Sequence, residues 1–394
     1  MIGISKLYCG TVEPSDPIRY GRHSKDLPAH LQQFSSDKKP VVVWNITRAC
    51  NLNCIHCYAK AVHRTNDGEL STEQGINLID DLAAFGVPVL LFSGGEPLLR
   101  PDLVELGRYA VDKGMRAVIS TNGTLINKRV AIKLKDVGIS YVGISLDGLE
   151  MVNDRFRRMK GAFRLAFDGI KNCQNAALKV GLRFTINRLN VDQIPGIFDF
   201  VEEMNIERLC FYHLVYSGRG SNLVDQDLSH DETRQVVDLI IDRTMDMHTR
   251  GLKKEVLTVD NHADGAYLYL RMLREHNPRA PGVLELLKMN GGNSSGEGIA
   301  CISWDGQVYA DQFWRQHSFG NILARPFSEI WSDVSNPLMA QLKDKKRYVT
   351  GRCALCRWLE ICGGNFRARA EAVTADIWGE DPACYLADEE IEGS

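Results

Sequence analysis

Short apolar runs rich in β-branched and aromatic residues recur along the first 220 residues. They lie at 41–47 (VVVWNIT), 87–95, 115–121, 141–148, 180–187 and 208–215. The segments between them have helical periodicity, and one of them, STEQGINLIDDLAAFG, opens on a Ser/Thr cap and closes on glycine. A strand and a helix repeated six times predict parallel strands joined by helical crossovers, as in an open doubly wound sheet or a barrel.

Each apolar run ends in polar residues or glycine. These residues are Asn45, Thr47, 93–96, 120–122, Ser145, Asp147, Thr185, Asn187 and His213. The end of any single run can be an ordinary polar loop, but all six runs share the pattern. Because functional groups of parallel α/β folds gather at the carboxyl ends of the strands, we expect the site there.

The pattern changes after about residue 225. A charged helical stretch (229–252) is followed by TVDNHADGAYLYL, by the loop NGGNSSGEG and by a cysteine-rich tail. We therefore predict an N-terminal arm at 1–37, a main domain at 38–255 and a smaller domain at 256–394.

Composition narrows the class of protein. The 394 residues are 44% apolar and 25% charged, and the formal net charge is -3. This balance is that of a globular protein and gives no reason to expect nucleic acid or an anionic membrane as partner. The chain has neither a leader pattern nor about eighteen uninterrupted apolar residues, so we expect a soluble, cytoplasmic protein. Eleven cysteines in clustered spacing then favour metal or cluster ligation over disulfides.

The stretch RACNLNCIHCYAK brings Cys50, Cys54 and Cys57 together within eight positions. Thiolates are soft ligands that suit zinc or iron–sulfur centres. Three of them can hold three corners of a tetrahedral site or three irons of a cubane, and in either case one position is left open. His56, in the same loop, could close a zinc site as fourth ligand.

A C-x3-C-x2-C motif followed by an aromatic residue, after a first strand and before βα repeats, resembles the radical S-adenosylmethionine superfamily. The resemblance covers roughly residues 40–220. It implies an α/β fold with a partial (β/α)6 TIM-type barrel, and a [4Fe–4S] cluster on the three cysteines whose fourth iron binds S-adenosylmethionine. It also implies that an electron from the reduced cluster cleaves this cofactor to a 5′-deoxyadenosyl radical, which abstracts a substrate hydrogen.

The same resemblance suggests the residues that contact S-adenosylmethionine. SGGEP corresponds to the family's GGE motif, in which glycines allow close backbone approach and a carboxylate accepts from an ammonium group. The implied contacts are Gly94, Gly95, Glu96, Ser120, Asn122, Ser145, Asp147, Arg183 and, near the adenine, Tyr58. In the alternative interpretation Ser120 and Asn122 form a turn and Asp147 caps a helix.

A second group of cysteines lies in the tail, in GRCALCRWLEICGGNF and DPACYL. Cys353, Cys356, Cys362 and Cys384 suit a second [4Fe–4S] cluster or a zinc ion, and their spacing resembles the SPASM extension of radical S-adenosylmethionine enzymes. A full SPASM domain carries further cysteines, in whose place stand NGGNSSGEG, Asp311 and Phe366. We therefore expect one auxiliary cluster, and expect ordinary buried thiols at Cys9, Cys173, Cys210 and Cys301.

Wider stretches, including TVDNHADGAYLYL, YADQFW and CGGNFRARAEA, resemble radical enzymes of alternative haem and haem d1 biosynthesis. These remove acetate or propionate groups from an iron tetrapyrrole, didecarboxysiroheme, with electrons from a cytosolic donor. Such a substrate needs an aromatic-lined cavity, an axial imidazole and arginines for its carboxylates. The candidates are His213, His262, Arg155, Arg157, Arg158 and Arg219.

Other interpretations stay open at this point. Each of the two histidines could be structural, and DRFRRMK could be a solvated helix face. The chain could also modify a peptide, as many SPASM-bearing enzymes do, or be a zinc-stabilised binding protein without chemistry.

Overall fold

The computed structural model describes residues 1–11, 16, 39–64 and 68–392. Most of the predicted N-terminal arm (1–37) lies outside these residues. Its described beginning forms a two-residue strand and a π-helical turn, Ser5–Cys9.

A single eleven-stranded sheet organises the described residues, in the order β1-β8-β7-β6-β5-β4-β3-β2-β9-β10-β11. All neighbours from β8 through to β9 are parallel, whereas β1, β10 and β11 join antiparallel. The strands are β1 Ile2–Gly3, β2 Val41–Thr47, β3 Val89–Gly94, β4 Arg116–Thr121, β5 Tyr141–Ser145, β6 Val180–Ile186, β7 Arg208–His213, β8 Glu255–Val259, β9 Ile299–Ile302, β10 Gln307–Tyr309 and β11 Gly320–Asn321. The six predicted strands are β2 to β7, in chain order across the sheet, so the predicted partial barrel is confirmed.

Helices connect the parallel strands and continue into the tail. They are α1 Thr72–Phe85, α2 Leu103–Asp112, α3 Lys128–Asp136, α4 Glu150–Arg157, α5 Ala162–Asn175, α6 Ile194–Glu203, α7 His230–Thr249, α8 Ala263–Arg274, α9 Ala280–Asn290, α10 Phe327–Ser332, α11 Pro337–Lys343, α12 Gly351–Ala354, α13 Leu359–Cys362, α14 Arg367–Thr374 and α15 Asp388–Ile391. Helix α1 shows why its segment is helical: Ser71 and Gln74 form a reciprocal capping box, and Gly86 ends the helix in the left-handed region.

The main core lies between the sheet and these helices. Val42, Trp44 and Ile46 of β2 are fully buried in it, together with Leu82 of α1. Val43, on the opposite face of the same strand, packs with Cys301 and Tyr309 instead. Side chains of each strand thus alternate between the helical layer and the barrel interior.

The sheet continues past residue 255, where the sequence predicts a domain boundary. Strand β8 pairs with β7, and β9 pairs with β2 on the other side of the barrel strands. The two predicted domains therefore share hydrogen-bonded strands. Within the described ranges, no helix is long and apolar enough to cross a membrane.

Candidate functional site

A cavity opens at the carboxyl ends of the parallel strands. It encloses about 1100 Å³ of space between atoms, part of it open to solvent. Nearly all of the residues predicted for the site line it: Cys50, Cys54, Cys57, Tyr58, Gly94, Gly95, Ser120, Asn122, Ser145, Asp147, Arg183, His213 and Arg219. Glu96 and His262 are absent from this lining.

The three cysteines of the first motif face this cavity from the loop that follows β2. Cys50 and Cys54 are buried, and Cys57 is half-buried. Burial raises the pKa of the Cys50 thiol to about 12, and the neighbouring Glu96, Cys54 and Cys57 add to that effect. Burial and the neighbouring thiols disfavour ionisation of Cys50 and Cys54, so these two need a cationic centre to become thiolates, and the donor set fits a metal cluster.

A cubane fits this loop better than a single ion. Among the described residues, no group of three or more His, Cys, Asp or Glu converges on one metal position. Cubane ligands need no such convergence, because each thiolate binds a different iron. His56, the fourth ligand that a zinc site would need, has its Nε2 3.2 Å from Asp147 Oδ2.

The segment after β7 stabilises the cysteine loop through hydrogen bonds to its main chain. Arg219 donates from Nε to the Cys54 carbonyl oxygen at 2.8 Å and from Nη1 to the Ala61 carbonyl oxygen at 3.0 Å. Gly218 has a φ of 63°, and a Cβ there would lie under 3.0 Å from the carbonyl oxygens of Cys57 and Tyr58. Two of the three guanidinium nitrogens of Arg219 are thus engaged with main-chain oxygens, whereas Nη2 has no hydrogen-bond partner among the described residues, and the predicted pairing with substrate carboxylates stays a prediction. Gly218 was missed, and only its place in the SGRG turn beside Arg219 could have indicated it.

The GGE motif joins β3 to the cysteine loop. Gly95 N donates to the Thr47 carbonyl oxygen at 2.8 Å, and Glu96 N donates to that of Ala49 at 2.7 Å. A Cβ on Gly94 or Gly95 would lie under 3.0 Å from those same oxygens, and Gly94 has a φ of 124°. The glycines are therefore required for the approach of protein backbone to protein backbone, in addition to any role beside the cofactor.

Glu96 is fully buried behind the cavity wall. Its Oε1 accepts from Thr121 Oγ1 at 2.7 Å, and its Oε2 accepts from the main-chain N–H of Asn122 at 2.8 Å. Burial raises its pKa to about 7, although these hydrogen bonds act in the opposite direction. These bonds join β3 to β4, and the expected contact of Glu96 with a cofactor ammonium group stays a prediction.

Polar groups on the next strands face the cavity. Arg183 Nη1 donates to Ser120 Oγ at 2.6 Å, and Asn122 Nδ2 donates to Asn51 Oδ1 at 2.9 Å. Ser145 also lines the cavity. These groups lie where the sequence predicted contacts to S-adenosylmethionine, and that role stays a prediction.

Tyr58 is held by polar and aromatic neighbours. Its hydroxyl donates to Asn45 Oδ1 at 3.0 Å and lies 3.1 Å from Ser93 Oγ. The ring meets Phe313 edge to face, with centroids 5.1 Å apart. Phe313 belongs to the segment after β10, so part of the predicted smaller domain lines the same cavity.

The arginines of DRFRRMK separate into two environments. Arg157 is 6% exposed, forms an ion pair with Asp147 and donates from Nη1 to Cys54 Sγ at 3.5 Å. Arg155 and Arg158 are exposed on the surface of the protein. Asp147 is an ion-pair partner of Arg157, and the expected binding of substrate carboxylates by these arginines stays a prediction.

The two candidate histidines lie in different places. His213 Nε2 lies 2.9 Å from Asp264 Oδ2, and His213 lines the cysteine cavity. His262 Nε2 lies 3.2 Å from the amino group of Met1, and its side chain lines a neighbouring cavity. Burial and nearby positive charges lower the pKa of His262 well below its usual value.

The four tail cysteines come together in space. Burial raises the pKa of the Cys362 thiol well above its usual value, and Cys384, Cys353 and Cys356 raise it further. Arg352 Nη1 donates to Cys384 Sγ at 3.6 Å. Thiols whose ionisation is disfavoured by burial and by their neighbours need a cationic centre to become thiolates. These four cysteines therefore fit a second cluster.

Polar groups occupy the region where further SPASM cysteines would lie. Asp311 Oδ2 accepts from Ser295 Oγ at 2.5 Å, and Lys345 Nζ donates to the main-chain oxygens of Asn293 and Ser295 at 2.8 and 3.1 Å. Phe366 packs edge to face on Phe313. These contacts are made by the residues that stand where further SPASM cysteines would lie, and the restriction to one auxiliary cluster stays a prediction.

The cysteine loop, the parallel half-barrel and the thiol-rich tail together define a class of enzyme. The chain belongs to the radical S-adenosylmethionine superfamily: the model of that superfamily matches residues 44–201, and the SPASM model, an iron–sulfur cluster-binding domain, matches residues 294–357. Its cofactors are accordingly S-adenosylmethionine, a [4Fe–4S] cluster and an auxiliary iron–sulfur cluster.

The chain is 64% identical over 99% of both sequences to Fe-coproporphyrin III synthase of Methanosarcina barkeri. It is 40% identical to pre-heme d1 synthase of Dinoroseobacter shibae, over 88% of this chain and 86% of that one. Among solved structures, SuiB of Streptococcus suis bound to S-adenosylmethionine superposes with a TM-score of 0.69, covering 89% of this chain and 78% of the other. At 18% sequence identity, this last likeness supports the fold alone.

Proposed function

We propose that the protein forms Fe-coproporphyrin III by removing two acetate side chains from 12,18-didecarboxysiroheme. The observation that carries this proposal is the 64% identity, over 99% of both chains, to a relative named Fe-coproporphyrin III synthase. Loss of propionates from the same substrate, as in the haem d1 pathway, has the weaker support of 40% identity over 88% of this chain.

Cys50, Cys54 and Cys57 would hold the [4Fe–4S] cluster, with S-adenosylmethionine between it and the ends of β3 to β6. When bound, the cluster and its cofactor supply the one-electron chemistry that removes a hydrogen atom from the substrate. The protein supplies fixed polar groups: the Tyr58 hydroxyl is hydrogen-bonded to Asn45 and Ser93, and Arg183 is hydrogen-bonded to Ser120. These fixed groups would orient the cofactor and exclude water from the reacting centre.

A second cavity adjoins the first and offers room for a macrocycle. It encloses about 1250 Å³ of space between atoms, part of it open to solvent. The two cavities share Arg183, Tyr212, Asp260 and Phe313. Aromatic rings suit the faces of a tetrapyrrole, and an arginine suits its carboxylates. We place the substrate where the two cavities meet.

His213 is the better of the two candidates for an axial ligand to the substrate iron. Its Nε2 is held by Asp264, which also accepts from Tyr385 Oη at 2.7 Å. Histidines that bind metals usually donate their second ring N–H to a carboxylate, which fixes the tautomer and the orientation of the ring. Donation from Nε2 would leave the lone pair of Nδ1 for iron.

The test is anaerobic turnover of the reconstituted protein with didecarboxysiroheme present and absent. We expect about eight irons, as two cubanes require, and both 5′-deoxyadenosine and acetate only when the tetrapyrrole is present. Deoxyadenosine without acetate would overturn the proposed reaction and direct the search to propionate loss or a peptide substrate. The assay uses dithionite as the reductant. In the cell, a cytosolic one-electron donor would reduce the cluster instead.

A further inference from the structure

The guanidinium of Arg157 connects a ligand of the radical cluster to a buried carboxylate. Arg157 Nη1 donates to Cys54 Sγ at 3.5 Å, and the same guanidinium forms an ion pair with Asp147. His56 Nε2 lies 3.2 Å from the same Asp147 oxygen. Asp147 is 1% exposed and Arg157 is 6% exposed, so both charges lie away from solvent beside the cysteine loop.

The chain fixes this arrangement from two sides. Arg157 is the last residue of α4, and Arg158 ends the helix in the left-handed region with a φ of 52°. The preceding residue, Phe156, accepts on its carbonyl oxygen from Ile55 N at 3.0 Å, and its ring lies against His56 with centroids 5.7 Å apart. The end of α4 is therefore docked on the cysteine loop, and Arg157 has little freedom to leave the sulfur.

The two buried charges act on Cys54 in opposite directions. Arg157 favours a negative charge on the Cys54 sulfur, whereas Asp147 disfavours it. Burial lowers the screening of both effects, since few water molecules separate the charges. Burial alone would raise the pKa of Asp147, but Arg157 and His56 lower it overall. Asp147 is therefore held as a carboxylate that stabilises the buried guanidinium.

We propose that Arg157 raises the reduction potential of the radical cluster, and that the carboxylate of Asp147 limits that rise. Reduction adds one electron to the cluster without a proton, so a hydrogen bond to a ligand sulfur and a nearby positive charge stabilise the reduced form. Arg157 lines the cysteine cavity, and the proposed effect on the cluster acts through its hydrogen bond to Cys54, so it is a positioning residue. The inference depends on the cluster site and is independent of the identity of the substrate.

The test is an EPR-monitored redox titration of the reconstituted, full-length protein with dithionite, without tetrapyrrole. Only the cluster with an open iron should change its signal when S-adenosylmethionine is added, so that signal identifies the cluster to follow. At a fixed solution potential, we expect Arg157→Gln to lower the ratio of reduced to oxidised radical cluster about tenfold, which is about 59 mV for a one-electron couple. The auxiliary cluster, titrated in the same sample, should keep its midpoint.

Two further variants distinguish a change in the reduction potential from damage to the cysteine loop. One is a matched control, and the other should shift the midpoint of the radical cluster in the opposite direction. Arg155 lies on the same helix but is exposed, so Arg155→Gln should leave both midpoints unchanged. Asp147→Asn removes the opposing charge and should raise the midpoint of the radical cluster. A merely structural role of the ion pair would move the Arg157 and Asp147 variants in the same direction.

Two results would overturn the inference. One is an unchanged midpoint in Arg157→Gln with full iron content, and the other is a shift of equal sign in Asp147→Asn. Should the glutamine variant assemble too little cluster, Arg157→Lys is titrated instead. Lysine keeps the charge but lacks the fork that binds sulfur and carboxylate together. It should give a smaller fall in midpoint, and no fall would contradict the proposal.

Discussion

Glu96 accepts a hydrogen bond from the main-chain N–H of Asn122 at 2.8 Å and thereby joins the end of β3 to the end of β4. The carboxylate also accepts from Thr121 Oγ1 and from the main-chain N–H of Leu98. Two of these three donor residues, Thr121 and Asn122, line the cavity. The acid of the GGE motif thus stabilises the site from behind, whatever it does beside the cofactor.

Replacement of Glu96 by glutamine should destabilise the protein. The glutamine amide keeps one acceptor oxygen. Its NH2 group, however, would face one of the N–H or O–H donors that bond to the Glu96 carboxylate in the wild type. A buried donor left without an acceptor costs about 1–3 kcal/mol. Urea unfolding of the reconstituted protein under anaerobic conditions measures this loss. Glu105→Gln on the exposed surface of α2 is the control, and an equal stability of the two variants would contradict the structural role of Glu96.

Gly95→Ala should impair assembly of the radical cluster. The new Cβ would lie under 3.0 Å from the carbonyl oxygens of Arg48 and Ala49, so the start of the loop that carries Cys50 would have to move. We expect loss of up to four irons, one cubane, with retention of the auxiliary cluster. Iron and sulfide analysis with EPR checks this. Gly282→Ala, where no atom lies within 4 Å of the added Cβ, should keep full iron content. Full iron content in Gly95→Ala would contradict this prediction, because it would show that the cysteine loop accommodates the added Cβ.

Lys345 should make stability depend on pH in the alkaline range. Burial lowers its pKa from 10.5 to about 8. Between these values the unfolded chain binds a proton that the folded chain has lost, so the free energy of unfolding rises with pH across this interval. A shift of this size corresponds to about 3 kcal/mol. Urea unfolding from pH 7.5 to 10.5 should show this rise in the wild type relative to Lys345→Met. The exposed Lys253→Met should retain the wild-type profile, and a fall in stability across the interval would refute the assignment.

Asp264→Asn should weaken binding of the iron tetrapyrrole. Asp264 fixes the ring of His213, and loss of such a partner typically reduces metal affinity about 10- to 100-fold. His213→Ala should alter the spin state of the bound substrate iron, which EPR and visible spectra report. His230→Ala is the control, because His230 is exposed and bonds to the Pro382 carbonyl oxygen. Unchanged spectra in His213→Ala would exclude this histidine as axial ligand.

The barrel strands could be predicted from the sequence because each is an apolar run with a polar end. The place of the site could be predicted because the carboxyl ends of parallel strands meet at one edge of the sheet. The spacing of Cys50, Cys54 and Cys57 is local and therefore visible in the sequence, and their role as cluster ligands stays a prediction. The sequence could not reveal partners that meet only after folding. Arg157 and Cys54 are 103 positions apart, and His213 and Asp264 are 51 positions apart. Arg157 therefore looked like its exposed neighbours in DRFRRMK, and Asp147 looked like a cap or a cofactor contact.

Removal of acetate from an iron tetrapyrrole is tested most directly by the ratio of acetate to Fe-coproporphyrin III after anaerobic turnover with S-adenosylmethionine and dithionite. We expect two acetates for each Fe-coproporphyrin III formed, accompanied by 5′-deoxyadenosine. The triple variant Cys50→Ala, Cys54→Ala, Cys57→Ala should yield none of the three products while its tail cluster still assembles. Turnover in that variant, or a tetrapyrrole product that keeps its acetates in the wild type, would contradict the claim.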